Sequence, residues 1–188
     1  MHVGEQFSHA QLFNIPDKPT FLSKPIAPPI PEALINDAKE SGLAGQWEGS
    51  VSGNLLEVIM PNALGDIWGS REQQEEGTIK ISFIRVKKEA SSNGLGSLLL
   101  KIFAATAKEE LHLKKIVGSV ASPGAVQIFL KVFGENAITF TDGSGKKVSS
   151  SEALQIKLSS GDQKVNVAVD LNQFDTANIP KANISNAK

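Results

Sequence analysis

Between Ile84 and Leu100 the chain reads Ile-Arg-Val-Lys-Lys-Glu-Ala-Ser-Ser-Asn-Gly-Leu-Gly-Ser-Leu-Leu-Leu. An apolar strand gives way to a short polar loop, and the loop passes through Gly94-Leu95-Gly96 into a strongly amphipathic helix. That order builds an anion cradle. Free backbone N–H groups at a helix N-terminus converge on one point, and the helix dipole favours negative charge there. Gly94 and Gly96 let backbone come close to a ligand that a Cβ would hold away. On spacing alone a Gly-x-Gly before a helix is more often a plain turn, so the flanking pattern decides.

The flanks alternate strand and helix. Thr78 to Val86 reads as a strand, with Ile79, Ile81, Phe83 and Arg85 on one side and Lys80, Ser82, Ile84 and Val86 on the other. Its second half is apolar on both faces, as in a central strand. Leu95, Leu98, Leu99, Ile102, Phe103 and Thr106 recur at helical spacing and predict a helix over Gly96 to Leu111. Ile116 to Val120 is a short apolar strand. Ser122 then caps a helix that opens on Pro123, carries Ala125, Ile128, Phe129, Val132 and Phe133, and stops at Gly134. Ala137 to Thr141 follows as a strand, closed by the turn Asp142-Gly143-Ser144-Gly145. Leu154, Ile156 and Leu158, and then Val165, Val167 and Val169, alternate about Ser160-Gly161-Asp162 and predict a hairpin.

Before this region Pro31 to Ser41 reads as a helix. Gln46 to Val51 and Leu55 to Met60 read as a hairpin, and Pro61 to Gly77 as a long loop with a short strand at Asp66 to Trp68. Residues 1–30 form an arm holding Pro16, Pro19, Pro25, Pro28 and Pro29, spacing that forbids a helix. Residues 31–171 are expected to be one domain and 172–188 a polar, frayed tail.

At 188 residues the chain can bury a real core, and a net charge of -1 gives no electrostatic footprint for nucleic acid or an anionic membrane. It contains no Cys, which excludes disulfides, a thiol nucleophile and thiolate metal sites, and no Tyr. His2, His9 and His112 are too scattered for a metal site. No Sec-type leader and no apolar run of membrane-spanning length is present, so a cytoplasmic protein is expected. The strand Lys164 to Leu171, if exposed, could pair with a second copy, giving a homodimer. Trp47 and Trp68 are read as core or as lining of an acceptor groove.

The run from Ile84 to Leu100 resembles the acetyl-CoA-binding motif of the GNAT superfamily of N-acetyltransferases, Leu-x-Val-x-Pro-x-Tyr-(Arg/Gln)-Gly-x-Gly-x-Gly-Ser-x-Leu-Leu. Ile84, Val86, Gly94, Gly96, Ser97, Leu99 and Leu100 fall in register. Lys88 stands where Pro is usual, Ala90 where an aromatic is usual, Ser91 where Arg or Gln is usual, and Ser92 where the first Gly is common. The segment from Ser122 to Gly134 resembles the family's later helix at Ser122, Ala125, Ile128 and Lys131, with Phe129 at the usual Tyr. The likeness spans about Thr78 to Leu158.

This resemblance implies an α/β fold with a mixed, mostly antiparallel central sheet, splayed at the cofactor site and flanked by helices. It implies acetyl-CoA as acyl donor and no metal. Backbone of Ile84, Arg85 and Val86 would pair with the pantetheine arm. Amides of Ser91, Ser92, Asn93, Gly94, Leu95, Gly96 and Ser97 would hold the pyrophosphate, with the hydroxyls of Ser91, Ser92 and Ser97 as extra donors, and Phe129 and Lys131 would lie beside the cofactor. The implied reaction is direct attack of an amine, on a small molecule or a protein, upon the acetyl group. Glu57 is the first candidate base, with Asp66 and Glu89 behind it. Ser122, Lys131 or water would assist the departing thiolate. Because the usual Tyr and the Arg/Gln opener are missing, the alternative is a weakly active or inactive GNAT-like binding protein, such as a secreted effector or an assembly component.

Overall fold

The computed structural model describes residues 29–44 and 46–186. Most of the proline-rich arm, residues 1–28, lies outside the described residues. The strands are β1 (Glu48–Ser52), β2 (Leu55–Ile59), β3 (Gly65–Arg71), β4 (Thr78–Val86), β5 (Lys115–Val120), β6 (Ile138–Asp142), β7 (Lys147–Val148), β8 (Val165–Asp170) and β9 (Asn183–Asn186). They form one mixed sheet in the order β7-β6-β8-β5-β4-β3-β2-β1-β9. Only β4 with β5 and β1 with β9 are parallel; the other pairs are antiparallel. The helices are α1 (Glu32–Leu43), α2 (Leu95–Glu109), α3 (Pro123–Phe133) and α4 (Ser150–Ser159). None of them is long and apolar enough to cross a membrane.

The apolar stripe of α2 forms the middle of the core: Leu95, Leu99, Leu100, Ile102, Phe103, Ala104 and Ala107 are all without solvent exposure. It packs on β2, β3 and β4, and α1 lies alongside it. Helix α3 joins α2 to β5 and β6, and α4 joins α3 to β6 and β8. Partner residues trace one continuous buried face: Ile67 opposite Ile84, Ile79 opposite Ile116, Ile116 opposite Val169, and Phe140 opposite Val167. Helices α2, α3 and α4 pack on that face, and α1 packs against α2 and the turn that follows β2. The other face carries the row Ser50, Glu57, Trp68 and Phe83 across β1 to β4, and no described helix covers it.

Five sequence expectations need correction. First, β4 does not alternate strictly. Trp68 pairs with Phe83 and Gly69 with Ile81, so Ser82 is an extra residue, a β-bulge. The bulge resets the parity, and Ile84 and Val86 join Ile79 and Ile81 on the helix side. That is why the second half of the strand reads as apolar on both faces. Second, the short strand expected at Asp66 to Trp68 runs longer, over Gly65–Arg71. A Cβ on Gly65 would lie 2.5 Å from the Arg85 carbonyl, and one on Gly69 2.6 Å from that of Lys80. These glycines permit close pairing with β4 instead of marking turns.

Third, Leu154, Ile156 and Leu158 belong to α4. Ser149 Oγ accepts from Glu152 N–H (3.2 Å), and the Glu152 carboxylate accepts from Ser149 N–H (2.7 Å), a capping box that starts a helix. The inward residues are Ala153 and Lys157, one turn apart, while Leu158 is 61% exposed. The Lys157 ammonium donates to Gly161 O (2.6 Å) and Gln163 O (2.8 Å), which shapes the loop into β8. Fourth, residues 174–186 of the expected tail are built into the fold. Phe174 packs edge-on against Phe133 with ring centroids 4.9 Å apart, Ala182 N–H donates to buried Thr106 Oγ1 (3.0 Å), and β9 pairs with β1. Fifth, strand β8, offered for pairing with a second copy if exposed, is internal between β5 and β6.

Candidate functional site

Strands β4 and β5 pair only through Thr78–Lys80 with Lys115–Val117. From Ile81 onward no described residue pairs with β4 on that side. Lys87 N–H donates to Leu64 O (2.8 Å) and the Arg85 carbonyl lies against Gly65, so residues 85 and 87 face β3. Backbone groups of an extended chain alternate, so Ile84 and Val86 turn their N–H and C=O to the open edge. The bulge at Ser82 therefore sets which residues offer free backbone, as well as which side chains are buried.

A cavity of about 610 Å³ fills the gap. On the helix side it is lined by Ile81, Ile84, Val86, Gly118, Ile128 and Phe129, and toward the helix-free face by Ser82, Phe83 and Ser119. It spans the sheet at the point where the two strands part. Both helices that follow the parted strands begin on it, through Gly94, Gly96 and Ser97 of α2 and Ser122, Gly124 and Ala125 of α3. A hollow of about 650 Å³ between the β3–β4 turn and the end of α2, lined by Arg71, Glu72, His112 and Lys114 among others, lies away from this edge.

The N-terminus of α2 is uncapped. Gly94 takes a left-handed conformation (φ 75°) and supplies no side chain, and Leu98 N–H to Gly94 O (3.2 Å) is the first helical bond there. The N–H groups of Leu95, Gly96 and Ser97 are then the orphans of the first turn. In α3, by contrast, Ser122 Oγ accepts from Ala125 N–H at 3.2 Å. A Cβ on Gly96 would sit 3.5 Å from Ile128 Cδ1 and 3.8 Å from Val86 Cγ2, in ordinary contact. Gly96 thus lies where α2, α3 and β4 meet around the cavity.

Of the residues singled out in the sequence, Ile84, Val86, Ser91, Gly94, Gly96, Ser97, Ser122 and Phe129 line this cavity. The rest fall elsewhere, and Ser91 is itself held by its own turn. Leu95 is fully buried in the core, so its amide alone can serve. Ser91, Ser92 and Asn93 are wound into a 3-10 turn over Lys88–Asn93, and the Ser91 hydroxyl donates to Lys88 O (2.8 Å), which commits its proton. Asn93 Nδ2 donates to Ala90 O at 3.4 Å. Arg85 points to the helix-free face, ion-paired with Asp66 at 2.8 Å and stacked over Phe83 at 5.5 Å. Lys131 is exposed on α3 and does not line the cavity. Glu57 sits two strands from the open edge, opposite Trp68, where it accepts a long bond from Ser50 Oγ (3.4 Å). Asp66 is engaged by Arg85, and Glu89 is exposed on the 3-10 turn. The structure brings none of these carboxylates into the cavity lining.

Trp47 is core, with its indole N–H donating to Ala38 O (3.3 Å), whereas Trp68 is on the helix-free face, 6.1 Å from Phe83 between ring centroids. Among the described residues no group of three or more His, Asp or Glu is placed to hold a metal ion. Sequence reasoning missed Ser82, Phe83, Gly118 and Ser119 as cavity residues. Their place depends on where β4 and β5 part, and no local pattern encodes that.

No protein-family model matches the sequence, and no curated protein is similar to it in sequence. Solved structures of similar arrangement include spermidine N-acetyltransferase from Vibrio cholerae in complex with CoA and spermine. It is 14% identical, with 76% of this chain and 74% of that one aligned and a TM-score of 0.45. Another is an IAA acetyltransferase from Bacillus cereus, 15% identical over 75% of this chain and 92% of that one, with a TM-score of 0.41. At these values the likeness is one of general arrangement, and the reading of the site rests on its own geometry.

Proposed function

We propose that the cavity binds a coenzyme A thioester and passes its acyl group, acetyl in the simplest case, to an amine. The observation that carries this is the open β4 edge at Ile84 and Val86, flanked by two helix N-termini around a largely apolar cavity. These features fit such a donor. An extended amide-bearing arm can pair with Ile84 and Val86 like an added strand. Anionic phosphates suit the free amides of Leu95, Gly96 and Ser97. Ala125, Ile128 and Phe129 supply an apolar wall.

A coenzyme A thioester brings an activated acyl carbon and a thiol leaving group. The protein's part is to orient the reactants and to exclude water. The amine nitrogen bonds to the acyl carbon, the C–S bond breaks, sulfur leaves with the electron pair, and one N–H proton ends on the thiol by way of water. Among the described residues the cavity lining holds no Asp, Glu, His, Lys or Arg, and its polar side chains are the hydroxyls of Ser82, Ser91, Ser97, Ser119 and Ser122. Approximation of the reactants therefore carries the rate, and an acceptor whose amine is neutral at working pH suits the site. The same lack of titratable groups favours one second reading, a protein that binds coenzyme A thioesters and turns them over weakly or not at all. Thiol release from acetyl-CoA in the presence of a panel of primary amines separates the two. Saturable, amine-dependent release supports transfer, and binding without release supports the second reading.

A further inference from the structure

The two ends of the cavity differ in which hydrogen bonds they can still make. Ser122, at the start of α3, has an Oγ lone pair taken by Ala125 N–H, and its own proton is uncommitted. Ser119, on β5 at the helix-free mouth, donates its proton to Asn166 Oδ1 on β8 at 3.0 Å. A hydroxyl whose proton is committed can only accept a further bond, and one whose lone pair is engaged can still donate. The two reactants of acyl transfer need opposite partners. An attacking amine offers N–H donors, and a departing sulfur accepts.

We infer that Ser119, oriented by Asn166, receives an N–H of the acceptor amine at the helix-free mouth, while Ser122 faces the leaving sulfur. This rests on the acyl-transfer reading. Ser119 lies beside Ser82 and Phe83 at the end of the cavity away from the α2 amides, so donor and acceptor approach from opposite faces of the sheet. Ser119 removes no proton. It fixes the direction of the nitrogen lone pair by holding an N–H, and Asn166 is a positioning residue acting through it. Ser119 and its bond to Asn166 are exposed, so water can replace the hydroxyl at Asn166 when Ser119 is truncated.

The test uses the full chain with acetyl-CoA as donor, at mildly alkaline pH, and two acceptor probes whose amines are largely neutral there, aniline and glycinamide. Thiol release is followed beside calorimetric binding of CoA. Ser119→Ala is expected to raise the amine KM about 3- to 10-fold, the worth of one hydrogen bond to substrate, with kcat changed far less and CoA affinity unchanged. Asn166→Ala should do the same, and Asn166→Asp, which can only accept, should restore the parental KM. A parental KM in Ser119→Ala, or failure of Asn166→Asp to restore it, overturns the assignment. A parent that binds CoA but turns over neither amine overturns it together with the transfer reading. A parent that binds no CoA shows instead that the donor site itself is wrongly placed.

Discussion

Gly96 offers a perturbation in which stability and ligand binding should move in opposite directions. Its backbone is not left-handed, and a Cβ there meets Ile128 and Val86 at 3.5 and 3.8 Å, so Gly96→Ala fits without a clash. The substitution removes unfolded-state entropy and should stabilise the fold by about 0.4–1 kcal/mol. For a chain of this size that is a rise of roughly 1–4 °C in Tm. The same methyl lies in the first turn of α2, beside amides that face the cavity. If it forfeits one charge-assisted hydrogen bond to a bound phosphate, about 1.5–3 kcal/mol, affinity for CoA falls roughly 10- to 150-fold. Gly94→Ala is the internal contrast. With φ at 75° it should destabilise by about 1–2 kcal/mol, yet its Cβ meets nothing within 4 Å. Calorimetric titration with CoA beside a thermal melt measures both quantities. A Gly96→Ala chain with raised Tm and unchanged CoA affinity would refute the placement of the cradle.

Three further outcomes are expected. Phe129→Tyr adds to the wall of the cavity a phenol far more acidic than the Ser122 hydroxyl, and amine-dependent thiol release should quicken, on the order of 10-fold; an unchanged kcat would mean that the ring edge does not face the reacting atoms. Lys157→Met leaves the Gly161 and Gln163 carbonyls without their ammonium and should cost about 1.5–3 kcal/mol in denaturant unfolding. The backbone N–H and then the hydroxyl of Ser149 hold the Glu152 carboxyl below its usual range, so its contribution to stability is present above the ordinary Glu range and is lost as pH falls through the folded value. The Tm gap between the parent and Glu152→Gln should therefore close on acidification, and a gap constant from neutral pH down to pH 3 would contradict the capping box.

The parts of the fold that were legible in sequence are those with local causes. The stripe of α2, the Ser122-Pro123 start of α3 and its Gly134 stop each declare themselves within a few residues. Helix α4 was misread because Leu154, Ile156 and Leu158 happen to alternate, although none of them is the buried contact. The signal that outweighs them is Ser149 with Glu152 three residues on. The full length of strand β3 is masked by Gly65 and Gly69, which usually punctuate loops and here admit a neighbouring carbonyl, so only its centre at Asp66 to Trp68 is legible. Strand β9 is polar and finds its partner β1 more than 130 residues away, so periodicity is silent about it.

The site divides along the same line. The turn through Gly94 and Gly96 is local and was readable. The exclusion of Glu57 was not, because it follows from strand order: two strand spacings separate it from the open edge. Ser119 and Asn166 become neighbours only when β8 inserts between β5 and β6.

Titration of the full chain with acetyl-CoA, beside desulfo-CoA and free adenosine as controls, tests the donor site most directly. Micromolar binding of acetyl-CoA and of desulfo-CoA, weaker binding of adenosine, and a drop in affinity with Gly96→Ala are the expected results. A folded chain that binds none of the coenzyme A species would contradict the assignment of the open β4 edge and the α2 amides as the thioester site.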